Sequence, residues 1–172
     1  MGLFATVPVD EVTVQDIANA VSMTPAAVYY HFASKEQILL EGMQNFRDEM
    51  LDEMRTFESS HSIAELVQHI VAWATRRRTA VTVYFVSSIG LNMMVEALRR
   101  ETREEMVDII DKQVRTIRGR ISTAESAVIA VSLVSLIETS LASMVNQDAA
   151  YRGLGSRRFS AEVAAIGERI TG

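Results

Sequence analysis

The sequence has 172 residues and contains no cysteine. Disulfide scaffolds, cysteine-based zinc sites, iron–sulfur clusters and thiol nucleophiles are therefore excluded. A chain of this length buries roughly 70% of the surface of its unfolded form, so it needs no covalent or metal staple. Acidic residues outnumber basic ones by 22 to 17. The resulting net charge of −5 argues against a protein that coats nucleic acid generally, but it leaves room for a local DNA-reading surface.

Proline and glycine are scarce, with two and eight copies, and hydrophobic residues recur at helical rather than alternating positions. This pattern predicts an all-α protein. The longest uncharged run, Thr79 to Val95, is shorter and more polar than the roughly 20 apolar residues of a membrane span. The first residues also lack the basic start of a signal peptide. We therefore expect a cytoplasmic protein without a membrane partner.

The predicted helices are short up to residue 32 and long beyond Ser34. Thr13 and Thr24 are placed to cap two short helices, and Pro25 occupies the first position of the second one. The tight turn between them contains Ser22 and Met23. Two short helices, a tight turn and a longer third helix predict a helix-turn-helix module over residues 1–46. Residues 47–172 are expected to form a helical bundle.

The bundle is predicted from the spacing of its apolar residues. We expect helices from Ser34 to about Phe57, then over 63–73, 81–89, 95–121 and 124–147. A loop is expected at 153–155, and a last helix over 160–170.

The strings TVQDIA (residues 13–18) and TPAAVYYHFASKE (residues 24–36) resemble the tetracycline-repressor (TetR) family of transcriptional regulators. The resemblance covers residues 3 to about 46. It implies a DNA-binding helix-turn-helix module followed by a helical domain that binds a ligand and forms a homodimer. It also implies a repressor that binds a pseudo-palindromic double-stranded DNA operator and is released by a small-molecule effector.

The residue types in these strings suit DNA contact. A capped helix start offers a hydroxyl and free N–H groups to a phosphate. Small apolar side chains at the start of the second helix suit the methyl group of thymine more than the edge of guanine. The predicted DNA-binding residues are Thr13, Gln15, Thr24, Pro25, Ala26, Ala27, Tyr29, Tyr30, His31 and Lys35. Taken alone, His31 and Lys35 are ordinary surface groups, and Phe32 is expected in the core.

The sequence departs from the family pattern in three ways. The opening helix is reduced to about Leu3–Ala5. Ser22 stands where the family usually has glycine, which implies a positive φ at this position. Residues 1–46 carry one basic side chain, Lys35, against five acidic ones, which gives a net charge of −4. We expect either that a basic helix precedes Met1 or that the module binds DNA weakly.

The effector is expected in the middle of the bundle and should be apolar or amphipathic. Candidate effector-binding residues are Trp73, Tyr84, Phe85, Ser88, Asn92, Met93, Met106, Ile110 and Glu138. Asn92 and Glu138 stand out because a polar group on an apolar helix needs a partner. Glu138 equally fits an ion pair with an arginine at a dimer seam.

The segment from 124 to 147 is apolar or small almost all round, which predicts a helix buried on every side. By resemblance this helix and the last one form the dimer, with candidate interface residues Ala127, Val131, Val134, Leu141, Met144 and Val145. His61, Glu65 and His69 share a helix face, but no further ligand is indicated, so neither a metal site nor a cofactor is predicted. No enzyme signature is present. The alternative function is a TetR-like dimer that binds ligands or proteins but no longer reads DNA.

Overall fold

The computed structural model describes residues 1–57 and 62–171, and within them every regular element is helical. The all-α prediction is therefore confirmed. The short helices are α1 (Gly2–Thr6), α2 (Val14–Ala20), α3 (Pro25–His31) and α6 (Arg78–Thr82). The long ones are α4 (Lys35–Thr56), α5 (Ile63–Thr75), α7 (Met93–Arg118), α8 (Thr123–Asn146) and α9 (Ala149–Thr171). The predicted domain boundary at 46/47 falls inside α4, which is therefore common to the module and the bundle.

One continuous hydrophobic core joins the module to the bundle. Phe4 of α1 is buried, and α1 packs against α6 and the segment that follows it. In the bundle, α9 lies along α5 and α8, while α7 lies along α8 and α4. Helices α5 and α9 approach closely at Gly167, where a Cβ atom would lie 3.1 Å from a methyl of Val67. The absence of a side chain at this position permits the tight packing of the two helices.

The short apolar helix predicted over 81–89 differs from the observed structure. Helix α6 begins earlier, at Arg78, and continues as a π-helical segment over Val83–Ser87. The Ser88 N–H donates to the Val83 carbonyl over 3.0 Å, the five-residue step of a π-helix. Such segments insert an extra residue into a helix and are frequent at functional sites.

Helix α9 begins at Ala149, well before the predicted start at Ser160. The Asp148 carboxylate accepts a hydrogen bond from the Tyr151 N–H at 2.9 Å and so caps the helix start. Within the predicted loop at 153–155, only Gly155 leaves the helical conformation, with a φ of 72°. The rings of Tyr151 and Phe159 pack edge to face at 5.2 Å across this kink. Tertiary packing of these two rings thus holds a helix where local glycines favour a loop.

Helix α8 is long and apolar enough to cross a membrane by length and composition, and 44% of its most apolar window is buried within the protein. A core helix passes the same test. In the sequence, the longest uncharged run is Thr79 to Val95. The structure divides that run among α6, the π-helical segment and the start of α7.

Candidate DNA-binding surface and effector site

Local capping defines α2 and α3. Thr13 and Asp16 form a capping box, because the Thr13 hydroxyl accepts from the Asp16 N–H at 3.2 Å and the Asp16 carboxylate accepts from the Thr13 N–H at 2.9 Å. These hydrogen bonds hold the pKa of Asp16 below its usual value. The Thr24 oxygen accepts from the Ala27 N–H at 3.2 Å, and Pro25 takes the first position of α3. Both predicted caps are confirmed.

The turn between α2 and α3 passes through Ser22, whose φ is 55°. This confirms the prediction that the position requires a positive φ. A residue with a Cβ atom is strained in this region, whereas glycine adopts it freely. Helices α2 and α3 pack through Ile17, Ala18 and Val28, which are all buried.

Lys35 has a different environment from the one predicted. Its ammonium group donates to the carbonyl oxygens of Val9, Asp10 and Val12 at 2.8, 2.8 and 2.7 Å. An ammonium group has three N–H donors, so all of them are used inside the protein. The predicted phosphate contact by Lys35 is therefore not supported. Instead, Lys35 ties the loop between α1 and α2 to the start of α4.

The other predicted DNA-binding residues belong to α2, α3 and their caps and are exposed or partly exposed; we call this set of residues the reading face. The rings of Tyr29 and Tyr30 are 57% and 86% exposed. His31 is exposed and packs edge to face against Tyr30 at 5.1 Å. Also exposed are Thr13, Gln15, Thr24 and Ala26, while Pro25 and Ala27 are partly exposed. Phe32 is half-buried against the core rather than fully enclosed.

The reading face contains hydroxyl, amide, imidazole and methyl groups but little positive charge. Residues 1–46 include no arginine and a single lysine, Lys35, whose donors are already used. DNA contacts from this stretch would therefore be made by neutral donors and backbone N–H groups.

Three predicted effector residues meet in the middle of the bundle and form an aromatic cluster with Phe46 of α4. The rings of Trp73, Tyr84 and Phe85 lie 5.6, 5.4 and 6.4 Å from that of Phe46. Tyr84 and Phe85 belong to the π-helical segment, and the Ser88 hydroxyl donates to the Tyr84 carbonyl at 3.1 Å. Phe46 was missed by the sequence reasoning, because its spacing in α4 indicated ordinary core.

The hydroxyl of Tyr84 is the polar feature of this cluster. It is buried and makes no hydrogen bond of normal geometry. Burial raises the pKa of this phenol and outweighs the opposing effects of the nearby Thr102 hydroxyl and Arg99 guanidinium. The hydroxyl is therefore protonated near neutral pH and can donate a hydrogen bond to a ligand. Thr102, which sequence reasoning missed, is 1% exposed and donates to the Leu98 carbonyl at 2.6 Å.

The remaining predicted effector residues are dispersed. Met106 and Ile110 are buried on α7. Asn92 is exposed and caps α7, since its side-chain oxygen accepts from the Val95 N–H at 2.9 Å. Met93 is 89% exposed at the first position of that helix. Neither Asn92 nor Met93 lies in the aromatic cluster, because the chain turns out to solvent between the π-helical segment and α7.

Glu138 forms an ion pair with Arg103 of α7 within the same chain. The arginine partner was anticipated, but the pair joins α8 to α7 of one protomer rather than two subunits. Glu138 also lines a surface cavity of about 560 Å³ together with Phe85 and Arg99. Because it lies beside Phe85, this cavity borders the aromatic cluster.

The predicted dimer residues fall into two groups. Val134, Leu141 and Met144 are at most 1% exposed and belong to the core of the protomer, which contradicts their assignment to an interface. The reason is that α8 packs against α5, α6, α7 and α9, so most of its apolar circumference is used internally. Ala127 is exposed, Val145 is half-buried and Val131 is 45% exposed, which leaves them available. The sequence reasoning missed Val128, at 67%, and Ile166 of α9, at 39%.

In the described part of the chain, no group of three or more histidine, cysteine, aspartate or glutamate side chains is arranged to hold a metal ion. His61 lies outside the described residues. The His69 imidazole instead lies 2.6 Å from the Glu53 carboxylate and stacks on the Phe57 ring at 4.4 Å.

Comparison with known proteins agrees with this architecture. The family model described as "Bacterial regulatory proteins, tetR family" matches residues 1–41. The fatty acid degradation regulator FadR from Bacillus halodurans aligns over 99% of this chain and 89% of its own, with a TM-score of 0.77 and 15% identity. A putative TetR-family regulator from Syntrophomonas wolfei aligns over 98% and 89%, with a TM-score of 0.74 and 13% identity. PfmR, a TetR-family regulator from Thermus thermophilus, aligns over 98% and 92%, with a TM-score of 0.65 and 21% identity.

No curated protein matches the sequence. At the identities found among the solved structures, the likeness establishes the fold, and the match over residues 1–41 establishes the kind of N-terminal module. The chain therefore carries the helix-turn-helix module of the tetR family of bacterial regulatory proteins within the fold of TetR-family transcriptional regulators.

Proposed function

We propose that this protein is a cytoplasmic, homodimeric transcriptional repressor that binds a pseudo-palindromic DNA operator through residues 1–46 and is released by a small amphipathic molecule bound within residues 47–172. The observation that carries this proposal is the reading face, with α3 capped and its exposed side chains unencumbered by the rest of the fold. The match of residues 1–41 to the tetR family supports it.

DNA recognition would be divided between the two short helices. Thr13 and Gln15 at the start of α2, with Thr24 and Tyr29 on α3, supply donors to backbone phosphates. The start of α3 would enter the major groove, where Ala26 and Ala27 present methyl groups and Pro25 an apolar ring to thymine methyls, and Tyr30 reaches a base edge. His31 adds a contact to a neighbouring phosphate. Lys35 supports the module from inside and is left out of this contact set.

The effector would bind at the aromatic cluster. The buried Tyr84 hydroxyl makes no hydrogen bond of normal geometry, and buried polar groups in native proteins are rarely left unsatisfied. A ligand with an acceptor atom would satisfy this donor while its apolar part lies against Trp73 and Phe85. The π-helical segment that carries Tyr84 marks a break in regular structure where a helix can rearrange.

Helix α4 would transmit the effector signal, because it carries residues of both regions. Lys35, in its first turn, is hydrogen-bonded to the loop between α1 and α2 of the module. Phe46, in its middle, belongs to the aromatic cluster. The next residue, Arg47, pairs with Glu105 of α7 at 2.5 Å, and Arg55 pairs with the same glutamate at 3.0 Å. A ligand that shifts α7 relative to α4 would therefore move the reading face.

The dimer would form through the exposed faces of α8 and α9. Val128, Val131 and Ala127 recur at helical spacing on α8, and Ile166 is exposed on α9. Two copies of this surface can meet across a two-fold axis, and a two-fold dimer matches the symmetry of a pseudo-palindromic operator.

The direct test is selection of bound sequences from a random duplex library, followed by gel-shift titration of the selected DNA at moderate salt. We expect two half-sites in inverted orientation. Tyr30→Ala should weaken binding at least tenfold. Gln68→Ala, at an exposed position of α5 next to His69, which stacks on Phe57 at the opposite end of α4 from the module, should leave it unchanged. Absence of any sequence preference would refute the operator-binding function.

The effector arm is tested on the same DNA complex. One structural relative is named a fatty acid degradation regulator, so decanoate is a rational first probe. We expect an amphipathic effector to lower DNA affinity by roughly 5- to 150-fold, and Tyr84→Phe to reduce that effect. An effector that acts equally on the parent and on Tyr84→Phe would place its site elsewhere.

A second function is favoured by one observation, the acidic module whose lysine is already engaged. In this second function, the protein is a TetR-like dimer that binds ligands or proteins without reading DNA. This function predicts dimerisation and effector binding together with no sequence-specific gel shift.

A further inference from the structure

A second cavity lies between the C-terminal parts of α4 and α7, away from the aromatic cluster. Its volume is about 480 Å³, and its walls include Phe57, Ile109, Lys112, Gln113 and Ile117. Pockets for small organic ligands typically range from about 300 to 1,000 Å³. The size of this cavity therefore suits a compact ligand.

Gln113 provides the polar contact in this cavity. Its side chain belongs to a residue that is 8% exposed, and its amide nitrogen donates to the Met54 carbonyl of α4 at 2.9 Å. That hydrogen bond fixes which way the amide points. The amide oxygen is buried and has no hydrogen-bond partner. Gln113 lines the cavity, and native proteins leave few buried acceptors unsatisfied, so a ligand donor that reaches this oxygen from the cavity would complete its hydrogen bonding.

The apolar walls are held in place by the surrounding structure. Ile109 and Ile117 are half-buried on α7 and pack against the core. The Phe57 ring stacks on the His69 imidazole at 4.4 Å, so it is supported from behind. An aromatic or aliphatic body of modest size can therefore lie between Phe57 and the two isoleucines.

The charge at the cavity comes from Lys112. Arg55 also lines it, but its guanidinium is paired with Asp52 at 2.9 Å and Glu105 at 3.0 Å. Lys112 is exposed, and its ammonium makes no ion pair with any residue in the described ranges 1–57 and 62–171. A ligand with a carboxylate would neutralise this ammonium at the mouth of the cavity.

We propose that this cavity is a second binding site, separate from the effector site, for a small organic acid that also carries an O–H or N–H donor. The donor hydrogen-bonds to the Gln113 amide oxygen, the carboxylate pairs with Lys112, and the apolar body contacts Phe57, Ile109 and Ile117. This assignment does not depend on DNA binding or on the effector site at Tyr84.

The test uses three probes of similar size and isothermal titration calorimetry on the full chain. These are 4-hydroxyphenylacetate, with both polar groups; 4-methylphenylacetate, without the donor; and 4-methylphenol, without the carboxylate. We expect 4-hydroxyphenylacetate to bind about three- to tenfold more tightly than either comparator, because each comparator leaves one protein group unpaired. Equal affinities of the three probes, or no saturable binding of the first, would overturn the proposal.

Two substitutions assign the contacts. Gln113→Met should abolish the preference for 4-hydroxyphenylacetate over 4-methylphenylacetate, and Lys112→Met should abolish its preference over 4-methylphenol. Gln68→Met, at an exposed position of α5, is the matched control and should keep both preferences. A Gln113→Met protein that retains the hydroxyl preference would contradict the assignment. The comparison of probes on the unsubstituted chain stands even where a variant fails to fold, and a loss of effector response at Tyr84 would not alter it.

Discussion

Replacement of Lys35 by methionine separates two roles for this side chain. The substitution keeps the length of the apolar stem and removes the ammonium group that donates to Val9, Asp10 and Val12. If the ammonium supports the module internally, the variant loses stability. If it contacts a phosphate, the variant loses DNA affinity with its stability intact.

The size of the stability loss follows from the environment of the three carbonyl groups. Those of Val9 and Val12 lie in partly buried hydrogen bonds, whereas that of Asp10 is exposed and regains water when the ammonium is removed. Two charge-assisted hydrogen bonds contribute about 3 kcal/mol. Release of the ordered lysine side chain returns about 1 kcal/mol. We therefore expect Lys35→Met to lower the free energy of unfolding by about 2 kcal/mol.

Urea unfolding at 25 °C, followed by circular dichroism, measures this change. Lys112→Met is the matched control, because it makes the same chemical change at an exposed lysine without an ion pair to the residues the structure describes. A loss below about 0.5 kcal/mol for Lys35→Met would refute the internal role. A fall of about one in the slope of log DNA affinity against log salt concentration would also refute the internal role, because that change is the signature of a lost phosphate contact.

Four further predictions concern other parts of the molecule. Tyr84→Phe removes a buried hydroxyl that makes no hydrogen bond of normal geometry, so it should raise the free energy of unfolding by about 1 kcal/mol in a urea titration and weaken the effector response. A destabilised Tyr84→Phe protein would show that the hydroxyl is satisfied. Ser22→Gly relieves a positive φ and should stabilise by about 0.5–1 kcal/mol in the same assay, whereas a loss would contradict strain at the turn. Val128→Glu should produce monomers in sedimentation velocity, and Gln68→Glu, which adds the same charge on exposed α5, should not; a dimeric Val128→Glu would move the interface elsewhere. Hydrogen bonds that the Asp111 carboxylate accepts from Arg115 at 2.7 Å and from Ser126 lower its pKa below the usual value. Its stabilising contribution is therefore present above the usual pKa of an aspartate and lost as the pH falls through the folded pKa. Asp111→Asn should flatten the acid limb of the stability curve measured between about pH 5 and 2, and an unchanged acid limb would refute this linkage.

The caps and the turn of the module could be predicted because their causes are local. Thr13, Thr24 and Pro25 act on backbone groups within three residues, and the positive φ at Ser22 was expected because the TetR family usually has glycine at this position. The all-α fold likewise follows from helical spacing repeated along the chain.

The environments of Lys35, Glu138 and Gln113 could not be predicted, because their partners are remote in sequence. Lys35 contacts carbonyl groups 23 to 26 residues earlier, and Gln113 contacts a carbonyl 59 residues earlier. Three of the six predicted dimer-interface residues, Val134, Leu141 and Met144, were wrong for a related reason. An apolar circumference on α8 shows that the helix is covered, but the arrangement of α5, α7 and α9 decides which side is covered within the protomer.

Helix α4 has a mechanical consequence that follows from its length. Its 22 residues make a rod of about 33 Å at 1.5 Å per residue. A tilt of about 5° about its C-terminal end, where Arg55 pairs with Glu105 of α7, would displace the opposite end, which adjoins the reading face, by roughly 3 Å. In a two-fold dimer the separation of the two reading faces would then change by up to about 6 Å. Operator half-sites are spaced by whole turns of about 34 Å. A tilt this small is therefore enough to take the two reading faces out of phase with successive major grooves.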